Sequence, residues 1–360
     1  MKKIKIAQVV SLSESVPPVS QNGLEFVVSW LTEELVARGH DVTLFAPGDS
    51  KTSAKLVSLL PKAIPRNIRA PWEQYFFSIW NTLIAGKDKF DIIHCHNSNA
   101  AYIAPFVNRP IVETIHSAFN SDFKNLYLDH PEYVKSLQPL FDSYAKINHV
   151  TVSKKQEQEH MLIEPFMFQK HSVIHNGIPV ERFEFNDTPK DYFLYIGYIN
   201  KNKGADTAVR IVDKLGLKLI LAGSYHGEEE FFEKNIKPFL NEKITYVGAV
   251  DFKTKVELYK NAIAKLAPLM WHEPFGLTLV ESQACGTPVI AFRKGAAPEI
   301  IKHGETGFIV DTEEQMIEAI KNIGHIDRKK CRSWVEDNFS VKKMVDEYEK
   351  LYKKLLQNEG

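Results

Sequence analysis

The sharpest chemical signal in the chain is a pair of carboxylates, Glu273 and Glu281, separated by seven residues around a predicted helix start. The segment Glu273-Pro-Phe-Gly-Leu-Thr-Leu-Val-Glu281 reads as a strand end, a tight loop at Pro274–Gly276 and a helix beginning near Leu277. The N–H groups of a first helical turn have no partner within the helix, and the helix dipole is positive there, so the start at Leu277 offers an anion site. Glu273 lies just before that helix and Glu281 about a turn inside it, toward a predicted cleft. Carboxylates flanking an anion site suit a ligand with hydroxyls at both ends and phosphate between them. The spacing alone equally permits a capped structural helix carrying a solvated glutamate.

Other residues add to this picture. Lys203 follows a strand ending Ile196-Gly197 and precedes Gly204 at a helix start, which separates it from an ordinary surface lysine. His116 ends the strand Thr114-Ile115-His116, a place where a lone histidine is more often structural. Gly23, in a loop entering a helix, lets backbone approach a phosphate or an acceptor. His94 and His96 share one face of a strand with Cys95 opposite, but no third ligand is close in sequence, so no metal site is predicted. Neither a Gly-x-Gly-x-x-Gly fingerprint nor a Walker lysine is present to support a dinucleotide dehydrogenase or a P-loop enzyme.

The elements that must hold these groups follow one grammar. Apolar runs of four to six residues alternate with longer amphipathic stretches, beginning with Lys3–Val10 and the helical pattern Leu24–Arg38, which Gly39 stops. Short β-type runs recur at Asp41–Ala46, Asp91–His94, Pro110–Ile115, His149–Val152 and His171–Ile174. After Asn176-Gly177-Ile178-Pro179 the grammar restarts, with strands at Tyr192–Ile196, Lys218–Ala222, Ile244–Val247, Ala264–Leu266 and Val289–Phe292. Helices are predicted at Ala205–Leu215, Glu228–Phe239, Asp251–Asn261 and Leu277–Cys285. Strands alternating with helices need crossover connections, hence mainly parallel sheets covered on both faces. At 360 residues, two α/β domains are expected, doubly wound and facing a cleft: residues 1–179, and residues 180–340. A final helix at 341–357 is expected to pack back on the first. In such sheets ligands collect beyond the carboxyl ends of the strands.

The chain resembles the family 4 glycosyltransferases, which are retaining enzymes with two Rossmann-like lobes (the GT-B fold). Glu273 and Glu281 match the family's acidic motif, with Pro274-Phe275-Gly276-Leu277 inside it and Ala284-Cys285-Gly286-Thr287-Pro288 after it. Asn22-Gly23-Leu24-Glu25, Gly39-His40-Asp41-Val42, Asp91-Ile-Ile-His94-Cys-His96, His175-Asn176-Gly177-Ile178, Asn202-Lys203-Gly204 and Gly304-Glu305-Thr306-Gly307 follow in family order along nearly the whole chain. The resemblance implies a nucleotide-diphosphate sugar donor, uridine or guanosine not distinguished, and no further cofactor or metal. It implies that Glu273 lies beside the donor sugar's ring hydroxyls and Glu281 takes the ribose hydroxyls. Phe275, Gly276, Leu277 and Thr278 would meet sugar and diphosphate through their backbone. Lys203 would neutralise the diphosphate, and His116 would face the donor sugar. The family pattern after the strand is Gly-Arg, whereas this chain reads Gly197-Tyr198, so an arginine charge at the diphosphate is replaced by a neutral phenol. Lys201 is the nearest substitute cation in sequence. The departure keeps a second reading open, a nucleotide-sugar-binding or regulatory relative with weak or no turnover.

Composition narrows the partners. Lys plus Arg and Asp plus Glu both number 45, so no basic field points to nucleic acid. Three cysteines are too few for a disulfide framework, which fits a reducing, cytoplasmic compartment. No apolar run approaches the ~20 residues of a membrane-spanning helix. Trp72, Phe76, Phe77, Trp80, Leu83 and Ile84 recur at helical spacing and read as a buried helix face. With Lys62, Arg66 and Arg69 just before it, the same stretch also reads as an acceptor or peripheral membrane element. The acceptor itself, a sugar, a lipid-linked sugar or a small molecule, is not specified by any motif, and neither is the oligomeric state.

Overall fold

The computed structural model describes residues 3–19, 23–64, 71–87, 89–97, 99–117, 138–163 and 169–357. Asn22, Arg66 and Arg69 lie outside the described residues. The chain forms two compact units, Met1–Gly177 with Val341–Gly360, and Ile178–Ser340.

The first unit is built on a parallel sheet of β1 (Lys5–Val9), β2 (Asp41–Phe45), β3 (Lys55–Val57), β4 (Ile92–Cys95), β5 (Ile111–Ile115), β6 (Ile147–Thr151) and β7 (His171–Val173), in the order β3-β2-β1-β4-β5-β6-β7. The second unit holds β8 (Phe193–Ile196), β9 (Leu219–Ala222), β10 (Ile244–Tyr246), β11 (Lys265–Ala267), β12 (Val289–Phe292) and β13 (Gly307–Val310), in the order β10-β9-β8-β11-β12-β13. The order reverses direction beside β1 and β4 in one sheet and beside β8 and β11 in the other. At such a switch the connections leave on opposite faces, so a crevice opens past the strand ends. Among the described residues no helix is long and apolar enough to cross a membrane.

Local chemistry accounts for the elements around these switches. The helix Ala205–Leu215 buries Ala208, Val209, Ile211 and Val212 on one side, starts after Gly204 with Asp206 in its first turn, and ends at Gly216 with Lys214 in its last. Both charges suit the helix dipole, and the buried stripe packs on Phe193, Tyr195 and Leu219 of the sheet. The helix Pro71–Lys87 departs from the sequence expectation in part: Leu83 and Ile84 pack against the core of the first unit, but the aromatic positions do not follow them. Its buried positions include Ser78, Asn81, Thr82 and Ala85, while Phe76 and Trp80 are 55% and 45% exposed. Polar bonds turned it: Asn81 donates to the Phe45 carbonyl, and the Ser78 hydroxyl accepts from Asn97 and Asn99. Satisfying buried strand-end groups outweighed burying the larger rings.

The helix Val341–Gln357 belongs to the first unit. Met344, Val345, Tyr348 and Tyr352 are buried there, each contributing roughly 1.5–3 kcal/mol. Its polar anchor is Glu349, 3% exposed, which accepts from His40 Nε2 at 2.9 Å and faces Arg38 at 3.4 Å. His40 Nδ1 accepts from the Ile4 amide, which fixes the ring with its proton on Nε2, toward Glu349. Glu349→Ala leaves that buried N–H without an acceptor. It should lower unfolding free energy by about 1.5–3 kcal/mol, read as a drop in urea midpoint at unchanged slope.

Candidate functional site

In the second unit the candidate groups gather past β8 and β11. After β8 the chain turns through Asn200–Gly204, where Asn200 Oδ1 accepts from the Lys203 amide at 2.9 Å. The Met270 amide then bonds the Asn202 carbonyl, tying this turn to the loop that follows β11. On that frame Lys203 Nζ forms an ion pair with Glu273 Oε2, and the same oxygen accepts from Trp271 Nε1 at 3.0 Å. The ammonium also lies 4.4 Å from the centre of the Trp271 ring, within cation–π range. The pair is neither buried nor free, with side chains 26% and 16% exposed, so an anionic ligand can reach the ammonium.

Two glycines set the spacing. Gly204 has φ +71°, and a Cβ there would stand 1.9 Å from the Pro268 carbonyl oxygen. Gly295 has φ +51°, and a Cβ would stand 2.2 Å from the Glu273 carbonyl oxygen and 2.3 Å from its nitrogen. Backbone thus packs on backbone on both sides of the Lys203–Glu273 pair.

Glu273 leads through Phe275, which is buried against Phe339, into the helix Leu277–Ala284. Gly276 precedes that helix and supplies no side-chain cap; the Leu279 N–H bonds the Gly276 carbonyl, which leaves the Leu277 and Thr278 N–H groups as the ones suited to an anion. Gly276, Leu277 and Thr278 are half-buried. Glu281 lies deeper, 3% exposed, with one oxygen 2.6 Å from Lys255 Nζ and the other 2.9 Å from the Tyr259 hydroxyl. Burial and the Glu281 charge hold the Tyr259 hydroxyl protonated, well above its usual range. A carboxylate has about four lone-pair directions, so Glu281 can still accept from a ligand while bound to both partners.

The structure thus brings Lys203 and Glu273 into contact and joins Glu281 to Lys255 and Tyr259. Gly197 ends β8. Tyr198, 39% exposed, spends its hydroxyl proton on the His226 carbonyl, and its pKa is raised by burial and by Glu228 and Glu229. Lys201 is exposed. His116 and Gly23 lie in the first unit, Gly23 as the first residue of the helix Gly23–Ala37. Burial pushes the His116 pKa down to about 4, so its ring is neutral near pH 7. Its Nε2 lies 3.0 Å from His96 Nδ1. His116 is therefore close to the His94/His96 pair in space, although twenty residues away in sequence. Among the described residues no group of three or more His, Cys, Asp or Glu is placed to hold a metal ion.

Sequence reasoning missed Lys255, Tyr259, Trp271 and Lys265. Nothing local couples Lys255 and Tyr259 to a carboxylate more than twenty residues on. Lys265 left a readable trace, a charge inside the apolar run Ala264–Leu266. It is buried in β11 between β8 and β12. Burial, reinforced by Lys203, brings its pKa down to about 7 against the opposing pull of Glu273 and Glu281.

Comparison with known proteins places both units. Residues 21–182 match the domain described as Glycosyltransferase Family 4, and residues 179–340 match Glycosyl transferases group 1. An uncharacterized glycosyltransferase of Methanocaldococcus jannaschii is 27% identical over 327 residues, covering 82% of each chain. Sucrose-phosphate synthase from Thermosynechococcus elongatus superposes with a TM-score of 0.79 at 19% identity, covering 98% of this chain and 100% of that one. Anabaena HepE, solved in complex with UDP-glucose, gives a TM-score of 0.71 at 14% identity, covering 98% of this chain and 100% of that one.

Gly295→Ala tests whether the close backbone packing positions Glu273. Steric overlap and left-handed strain together should cost on the order of 2–4 kcal/mol of stability. Gly324→Ala, with nothing within 4 Å of its Cβ, should change it little. Urea unfolding of the two variants side by side reads the difference.

Proposed function

The chain belongs to glycosyltransferase family 4, with the GT-B fold, and on that premise we propose that it moves a hexose from a nucleotide-diphosphate sugar to an acceptor hydroxyl with retention of anomeric configuration. The observation that carries this reading is the Lys203–Glu273 pair beside the uncapped helix start at Leu277, past the ends of β8 and β11. The family roles implied by sequence fit these positions. An arriving diphosphate competes with Glu273 for the Lys203 ammonium, and the first-turn N–H groups of the Leu277 helix take further phosphate oxygens. Glu273, released from that pair and still held by Trp271, accepts from the ring hydroxyls of the sugar. Glu281 accepts from the ribose.

Transfer then proceeds by displacement on one face. The bond from the anomeric carbon to the diphosphate oxygen breaks, and its electron pair leaves with the diphosphate. The acceptor oxygen bonds to the anomeric carbon, and its proton passes to the departing phosphate. Charge builds on the diphosphate in the transition state, so Lys203 and the helix start stabilise that state more than the ground state. We assign the protein to the cytoplasm, with no metal or further cofactor in the reaction, and leave a peripheral membrane contact to the acceptor side.

Lys203→Ala should lower turnover about a hundredfold or more, the effect of losing one preorganised stabiliser of developing charge. Near-normal turnover in that variant would put the diphosphate elsewhere. Glu281→Gln should weaken nucleoside diphosphate binding about ten- to a hundredfold, the range for a hydrogen bond to an ionised group. Glu273→Gln should leave that binding nearly unchanged and slow turnover, and calorimetry with UDP and GDP separates the two. Product NMR reads configuration, and an inverted linkage would contradict the mechanism.

The second reading, a binder with little turnover, is favoured by one observation, Tyr198 in the family arginine's place with its hydroxyl bound to the His226 carbonyl. Tyr198→Arg should tighten nucleoside diphosphate binding and make it more salt-sensitive. A binder would gain affinity and no turnover; an enzyme keeps its turnover.

A further inference from the structure

A run of buried side chains in the first unit links the C-terminal helix to His116. The Tyr352 hydroxyl of that helix lies against His94. That hydroxyl lies 2.7 Å from His94 Nδ1, and His94 Nε2 lies 2.7 Å from the Thr114 hydroxyl, which pairs with Tyr348 at 2.8 Å. Gln8 Nε2 also faces His94 Nδ1, at 3.5 Å. With its amide nitrogen turned toward His94, Gln8 presents its carbonyl oxygen to His96 Nε2 at 2.7 Å. A carbonyl oxygen can only accept, so the His96 proton is on Nε2. His96 Nδ1 is then a lone pair, and at 3.0 Å it can only accept from His116 Nε2–H.

We infer that Gln8 and His96 are positioning residues that hold His116 as its Nε2–H tautomer, leaving Nδ1 as a hydrogen-bond acceptor for a hydroxyl of the sugar substrate. The inference rests on the reading of His116 as a residue that faces the donor sugar. Neutral rings are required throughout, because a neutral imidazole carries one donor and one acceptor whereas a charged one carries two donors. Burial supplies them: His94 and His96 are fully enclosed, their ring centres 4.1 Å apart, and both are pushed well below the usual histidine range. The strand register makes the alignment inevitable. Gln8 of β1 is paired with His94 of β4, whose neighbour Cys95 pairs with Glu113 of β5, so Gln8, His94 and Thr114 share one face of adjacent strands.

The full-length protein labelled with ¹⁵N-histidine tests this by long-range proton–nitrogen correlation, with His116→Asn identifying the signal. The wild type should show His116 protonated on Nε2. Gln8→Leu removes the acceptor for His96 and should populate the other His116 tautomer, whereas Gln8→Glu keeps an acceptor and should keep the wild-type pattern. In turnover, Gln8→Leu should lose about tenfold, the worth of one hydrogen bond, with nucleoside diphosphate binding unchanged and Gln8→Glu near normal. A wild-type His116 protonated on Nδ1, or an Nε2–H pattern that survives Gln8→Leu, overturns the inference. Should the transferase reading fail instead, no variant turns over, and the tautomer spectra still decide the matter for His116.

Discussion

Among the described residues every strand pairing in both sheets is parallel, and this constraint governs where chemistry can stand. Parallel neighbours deliver their following loops to the same edge of the sheet, so sequence-distant residues meet there without long excursions. In the second unit this edge holds Lys203 after β8 and Glu273 after β11, seventy positions apart and in contact. In the first it holds His96 after β4 and His116 after β5. Both pairs lie at or next to a reversal in strand order, where helices leave on opposite faces and room remains for a ligand.

The charges at the second edge are graded by depth. The Lys203–Glu273 pair is partly open and held by one tryptophan, so its partners can be exchanged for a ligand's at modest desolvation cost. The Lys255–Glu281 pair is more enclosed, and a phenol shares it. Exchange there would strand a buried charge, which is costly. A diphosphate is therefore expected to displace the outer pair, and ribose hydroxyls to add to the inner one. Lys265, buried in β11, feels both pairs: burial and Lys203 lower its pKa to about 7 while Glu273 and Glu281 oppose the shift.

Much of the architecture was legible because buried parallel strands read as short apolar runs bounded by glycine, proline or charge. Ala205–Leu215 could be read to the residue, since Gly204 and Gly216 punctuate it and its apolar period is unbroken. β3, with only Lys55–Val57 at the sheet edge and none fully buried, lacks that signal. The helices Glu313–Asn322 and Arg328–Asn338 were not anticipated, because charge dilutes their apolar faces. At the candidate site, types and local settings of Lys203, Glu273 and Glu281 were legible. Their partners were not: Lys255, Tyr259 and Trp271 matter through side-chain direction in the folded chain, which spacing does not encode. The helix Pro71–Lys87 shows the opposite failure, a strong aromatic period overruled by the hydrogen bonds of Ser78 and Asn81.

Donor consumption tests the central claim most directly. The full-length protein is mixed with UDP- and GDP-linked hexoses, and nucleoside diphosphate release is followed with a mixture of sugar acceptors and with water alone. The account predicts release from one nucleotide class, faster with an acceptor present and abolished together with sugar transfer when Lys203 is removed. Tight binding of a nucleotide sugar with no release under any of these conditions would contradict it.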